Sequence, residues 1–107
     1  MHGFTQHGDS WDELRSLVPG GRRWLTPDVA GATMAEAEAQ LLGLWERDGL
    51  ERADLVGYSQ GGRIALFVAS NHPHRVRTLT TIAAHAGFEG AQRVERAAAD
   101  RALADRI

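Results

Sequence analysis

The stretch Val56-Gly57-Tyr58-Ser59-Gln60-Gly61-Gly62-Arg63 constrains the fold more than any other part of the chain. The apolar run "ADLVG" leads into it, and "GRIALFVAS" leads out of it. The first is short and stopped by glycine, which reads as a buried strand. The second is apolar nearly all round, as expected of a helix lying in a core. Glycines stand two positions before and two positions after Ser59. A strand that turns directly into a helix forces the residue at the bend into a strained backbone conformation, and it packs the neighbours at spacing two too closely for side chains. The pattern predicts that the Ser59 hydroxyl stands above the carboxyl end of a strand. The backbone N–H of Gln60 then opens a helix whose dipole favours negative charge.

The rest of the chain alternates in the same way. Ser10-Trp11-Asp12-Glu13 has the spacing of a capping box and predicts a helix to about Val18, ended by Pro19-Gly20-Gly21. "RRWLTPD" is a short extended segment stopped by Pro27. Thr33-Met34-Ala35-Glu36 is a second capping box, and behind it Met34, Ala37, Leu41 and Leu44 share one helical face up to Gly49. "RVRTLTTIAA" is rich in β-branched residues and predicts another strand. The alanine- and charge-rich tail from Gly90 to Ile107 predicts a helix. Strands alternating with helices predict an α/β chain with a parallel sheet and crossover helices.

Composition bounds the function classes. A chain of 107 residues is at most one domain. Hydrophobic residues make up 43% and the net charge is −2, which argues against disorder and against a nucleic-acid surface. With no cysteine there are no disulfides or thiolate metal sites, and the expectation is a cytoplasmic protein with no metal and no cofactor. No apolar run approaches the ~20 residues of a membrane span, and "MHGFTQHGDS" lacks the features of a signal peptide.

"HGFTQHGDSW", "LTPDVAG", "LVGYSQGGRIAL" and "HPHRVRTLTTIAA" resemble the successive blocks of the α/β-hydrolase fold superfamily. The elbow arginine, Arg63, and the tail "HAGFEGAQRVERAAADRALADRI" narrow the resemblance to the 2-succinyl-6-hydroxy-2,4-cyclohexadiene-1-carboxylate synthases of menaquinone biosynthesis. The resemblance implies a lyase that eliminates pyruvate from a cyclohexene polycarboxylate, with Ser59 acting through a histidine to remove a ring proton. It implies an oxyanion hole made by the N–H groups of Phe4, in the turn His2-Gly3-Phe4, and of Gln60. It implies carboxylate clamps at Arg63 and Arg96, with Arg93 a neighbouring candidate, since a guanidinium fork grips a carboxylate with two hydrogen bonds. Residues 1–88 correspond to the core of the fold and residues 89–107 to the start of its cap. The implied partner is a small-molecule polycarboxylate, with no nucleic acid or membrane involved.

The sequence departs from the family pattern in its later blocks. After Ser59 the histidines are His72, His74 and His85. None occupies the family's base position, and no Gly-x-x-Asp strand end or late Gly-His block appears. The strand that should feed "HGF", which in the family lies between "RRWLTP" and "ADLVG", is also absent. The expectation is an N-terminal fragment with an incomplete triad, inactive alone. Two alternatives stand beside the synthase: a generic serine ester hydrolase sharing the elbow, and a non-catalytic remnant.

Overall fold

A computed structural model describes residues 1–106. A 3-10 turn over Gly8–Trp11 leads into α1 (Asp12–Leu17), followed by a long irregular stretch and then α2 (Met34–Arg47). After α2 come β1 (Ala53–Tyr58), α3 (Gln60–Asn71), a short 3-10 turn over Pro73–Arg75, β2 (Val76–Ile82) and α4 (Gly90–Arg106). The strands β1 and β2 are parallel, with Leu55 opposite Leu79 and Tyr58 opposite Ile82, and α3 is the crossover between them. The α/β class and the parallel pairing agree with the sequence reading.

Helix α2 forms where its capping box predicts. Thr33 Oγ1 accepts the Glu36 N–H at 3.1 Å, and Glu36 Oε2 accepts the Thr33 N–H at 3.1 Å and the Ala32 N–H at 2.7 Å. Its buried stripe is Ala37, Leu41 and Trp45, with Met34 and Leu44 at the margins. That stripe packs on α3, which buries Ile64, Ala65 and Val68 and covers one face of both strands. Leu55 and Met1 complete the core. Burial of each of the larger aliphatic side chains, such as Leu41, Leu55, Ile64 and Val68, contributes about 1.5–3 kcal/mol of transfer free energy. Arg75 closes the underside: its guanidinium lies 5.4 Å from the Trp45 ring centroid and donates to Leu50 O and Glu51 O.

Two local expectations are corrected. Ser10 does not cap α1. Instead Ser10 Oγ accepts the His7 N–H at 3.4 Å in the 3-10 turn, and the helix starts at Asp12 behind Trp11, which makes no side-chain cap. The capping residues are consumed by a tighter turn one step upstream. The segment "RRWLTPD" is irregular rather than a strand. A strand needs a ladder, and among the described residues β1's edge on this side is paired only through the Met1 backbone, so residues 22–27 have no ladder to join. Strand β2 is exposed along nearly all its length despite its β-branched residues, because only α3 covers it.

Candidate active site

Ser59 sits at the junction of β1 and α3 with φ 51° and ψ −113°. A residue with a Cβ held there costs of order 1–3 kcal/mol, so its surroundings must over-determine it. They do so from both sides. The Ser59 N–H donates to Ile82 O at 2.8 Å, pinning the bend to the end of β2, and Ser59 O accepts the Arg63 N–H at 3.1 Å as the first bond of α3. The Ser59 side chain caps no N–H of α3, so its hydroxyl is not committed to the helix. The residue is half-buried.

The glycines have a steric reason. A Cβ on Gly57 would collide with Gly61 O and lie 2.6 Å from Gly62 Cα. A Cβ on Gly61 would collide with the carbonyl oxygens of Met1 and His2 and lie 2.6 Å from the Met1 carbonyl carbon. Gly62 is equally constrained, since a Cβ there would lie 2.5 Å from Ala84 Cβ. The sequence reading explained the first two and passed over Gly62, whose signal was the glycine doublet itself.

The contact at Gly61 brings the N-terminal turn to the bend. Met1 forms one rung of a parallel ladder on β1: its amine donates to Val56 O at 2.5 Å and its carbonyl accepts the Tyr58 N–H at 3.1 Å. Burial pushes that amine from its ordinary 8.0 down to about 6. His2 fastens the next residue. Its Nε2 accepts the Val29 N–H at 3.1 Å, which makes Nδ1 the protonated nitrogen, and Nδ1 donates to Gly3 O at 2.9 Å. Gly3 N–H donates to Gln6 Oε1 at 2.8 Å, and Gln6 N–H returns to Gly3 O at 3.2 Å. Phe4 lies inside this closed turn with its side chain half exposed. The N–H groups of Phe4 and Gln60 donate to no backbone carbonyl of a turn or loop among the described residues, and Gln60, as the first residue of α3, has no intrahelical acceptor. His2 carried little weight in the sequence; its bridge from Val29 to Gly3 is visible only in three dimensions.

The structure thus gathers Ser59, Gln60, Arg63 and the Met1–Phe4 turn at the carboxyl end of β1. Arg63 is half-buried on the first turn of α3. Arg93 and Arg96 are not gathered with them. Both are exposed on α4, which buries no residue, and Arg96 Nε pairs with Asp100 Oδ1 at 2.9 Å. His72 and His74 lie at the far end of α3, where His72 Nε2 sits 3.1 Å from Glu38 Oε1. A helix of that length places them roughly 18 Å from Ser59. His85 follows β2 at the Ser59 end of the sheet. Its ring lies 4.0 Å from that of Phe88, and its Nδ1 is buried without a partner among the described residues. No group of three or more metal-ligating side chains gathers among the described residues, and none of the described helices is long and apolar enough to cross a membrane.

Known proteins resemble the chain in sequence and in fold. The chain is 31% identical, over its whole length, to a putative 2-succinyl-6-hydroxy-2,4-cyclohexadiene-1-carboxylate synthase of Bacillus subtilis, covering 43% of that protein. It is 30% identical over its whole length to the synthase of that name from Klebsiella pneumoniae, covering 46% of it. It is also 37% identical over 74% of its length to a 2-hydroxymuconate semialdehyde hydrolase of a Pseudomonas strain, covering 33% of that protein. The chain therefore spans less than half the length of these relatives. Among solved structures, a marine microorganism esterase superposes with a TM-score of 0.70 at 19% identity, over 96% of this chain and 44% of the esterase. Residues 1–102 match the alpha/beta hydrolase fold family along nearly the entire chain, and the chain belongs to that family.

Proposed function

We propose that this chain is the serine-bearing part of an α/β-hydrolase-fold enzyme. In the complete protein that enzyme eliminates pyruvate from 2-succinyl-5-enolpyruvyl-6-hydroxy-3-cyclohexene-1-carboxylate, a cytoplasmic step of menaquinone biosynthesis. Residues 1–88 supply the core and residues 89–107 begin a cap. The observation that carries the reading is Ser59 at φ 51°, walled by Gly57 and Gly61, with the His2-Gly3-Phe4 turn packed against the same helix start.

The chemistry follows from these groups. Elimination removes a ring proton, forms a ring double bond with that electron pair and breaks the bond to the enolpyruvyl oxygen; the departing enolate takes up a proton and leaves as pyruvate. Ser59 passes the abstracted proton to a histidine contributed by the rest of the enzyme, because a serine hydroxyl alone is far too weak a base at neutral pH. The N–H groups of Phe4 and Gln60 stabilise the negative charge that develops on a substrate oxygen. Arg63, one helical turn beyond Ser59, grips a substrate carboxylate. Arg96, with Arg93 beside it, offers a second clamp once α4 is covered by further chain. The relatives with synthase names, which this chain matches along its full length, support this reading.

The similarity to 2-hydroxymuconate semialdehyde hydrolase supports a second reading, in which the same donors hold the oxyanion of a carbonyl attacked by Ser59. A chimera separates the two. Residues 1–107 are joined to the remaining length of the Bacillus subtilis relative and offered the enolpyruvyl substrate and a nitrophenyl ester. Pyruvate release far above ester cleavage supports the lyase, and the reverse order sinks it.

A further inference from the structure

Gly3 is the loosest joint in front of the Phe4 donor. A glycine has no Cβ, so its φ and ψ range more widely than those of other residues, and ψ of Gly3 sets the plane of the peptide that carries the Phe4 N–H. Gln6 closes on this joint from both sides. Its side-chain Oε1 accepts the Gly3 N–H at 2.8 Å, and its backbone N–H donates to Gly3 O at 3.2 Å. His2 Nδ1 reaches the same oxygen at 2.9 Å, but among the described residues only Gln6 engages both groups of Gly3. With Gly3 O held inside the turn, the trans peptide directs the Phe4 N–H out of it, on the opposite edge of the same plane. Gly3 is buried, so its own N–H needs an acceptor, and Gln6 Oε1 is the one it has. The elbow forms a second wall: a Cβ on Gly3 would lie 3.0 Å from Gln6 Oε1 and 3.0 Å from Tyr58 Cδ1. Between donor and clamp, Thr5 stands at φ 63°, a left-handed conformation that a β-branched residue resists. Local preference alone therefore does not hold the turn in this shape.

From these contacts we propose that Gln6 is a positioning residue for the oxyanion hole: by holding the N–H and the C=O of Gly3 together, it fixes the direction of the Phe4 N–H beside Ser59. This rests on the reading of Phe4 and Gln60 as the oxyanion donors. It applies to elimination and to ester cleavage alike, because both develop negative charge on a substrate oxygen. The working part of Gln6 is its acceptor and not its bulk, since the residue is exposed and packs into no core. Gln6 touches no reacting atom and acts through Gly3 and Phe4. Its loss should therefore lower the rate of the chemical step and leave substrate affinity in place.

The test uses two variants of the chimera. Gln6→Met keeps the length of the side chain and removes the acceptor, and Gln6→Glu restores an acceptor. Both are measured on the enolpyruvyl substrate and on the nitrophenyl ester, with amide exchange at Gly3 followed by NMR. In Gln6→Met, exchange at Gly3 should quicken about tenfold. Its kcat should fall about tenfold, less than the roughly hundredfold or more that follows removal of an oxyanion donor itself. KM should stay within about twofold, and the fall in kcat should be the same on each substrate that the chimera turns over. Gln6→Glu should restore protection at Gly3 and recover part of the rate. An unchanged kcat in Gln6→Met overturns the proposal, as does unchanged exchange at Gly3, a loss confined to KM or to one substrate, or a Gln6→Glu variant no faster than Gln6→Met. The elimination reading fails separately: a parent chimera that cleaves the ester and releases no pyruvate sinks that reading, while the Gln6 effect is still read on the ester.

Discussion

Gly61 and Met1, far apart in sequence, meet at the carboxyl end of β1: a Cβ on Gly61 would lie 2.6 Å from the Met1 carbonyl carbon. The start of α3 and the N-terminal turn are thus packed backbone to backbone, and the positions of Gln60 and Phe4 depend on that contact. Gly61→Ala is expected to cost about 1–3 kcal/mol, the usual cost of overpacking, and to open the turn. Chemical denaturation gives the stability loss, and new chemical shifts confined to residues 1–6 and 59–63 would locate it. A variant as stable as the parent, with an unchanged N-terminal turn, would show that the contact is slack.

The buried amine of Met1 makes stability depend on pH. Its value falls from 8.0 to about 6 on folding, so the unfolded chain binds the extra proton between those limits. Stability therefore rises as pH increases from 6 to 8. The full penalty is present below 6 and is absent above 8. Two units correspond to roughly 2–3 kcal/mol at 1.36 kcal/mol each. N-terminal acetylation, which removes the charge, should flatten the rise in urea unfolding free energy across this window. An identical slope in the acetylated chain would assign the dependence to other groups.

Asp54 anchors the strand pair at its other end. Arg77 holds its carboxyl well below the usual carboxylate range through a hydrogen bond at 2.9 Å, with Thr78 adding a second at 2.7 Å. A lowered folded-state value contributes stability above the unfolded value near 4 and loses it as pH falls through the folded one. Asp54→Asn should therefore lower the melting temperature at neutral pH and narrow its difference from the parent progressively below pH 4. A difference that stays constant from pH 7 to pH 2 would exclude the charge as its source.

His2→Ala removes an acceptor for the Val29 N–H and a donor to Gly3 O. The expected cost is about 1–2 kcal/mol. In the chimera it should fall more heavily on kcat than on KM, because the Phe4 donor loses its support while Arg63 does not. His2→Gln, which retains an acceptor and a donor, should recover part of the rate. Loss confined to KM would place His2 in substrate binding instead.

The elements legible in the sequence are those whose signals are local. The Thr33 and Glu36 box set the start of α2, and the glycines around Ser59 announced a tight bend before any contact was known. What escaped reading depends on partners distant in sequence. Trp45 joined the buried stripe of α2 because Arg75 and the core close over it. "RRWLTPD" has the composition of a strand and lacks one here because no ladder reaches it. The Met1 rung and the His2 bridge join residues separated by most of the core. The tail arginines were read through resemblance, and in this structure they stand on an exposed helix, with Arg96 held by Asp100.

Arg63→Ala in the chimera should reduce turnover of the carboxylated substrate ten- to a hundredfold, the effect of losing about 1.5–3 kcal/mol from a charged hydrogen bond. Cleavage of a neutral ester should change little. Equal losses on both substrates would make Arg63 a structural residue of α3.

The most direct test of the account is Ser59→Ala in the same chimera, measured by pyruvate release from the enolpyruvyl substrate. The account predicts a fall in kcat of three or more powers of ten, with the fold intact by circular dichroism and the KM nearly unchanged. A variant that retains activity within tenfold of the parent would contradict it, because the strained bend at Ser59 would then serve the fold and not the reaction.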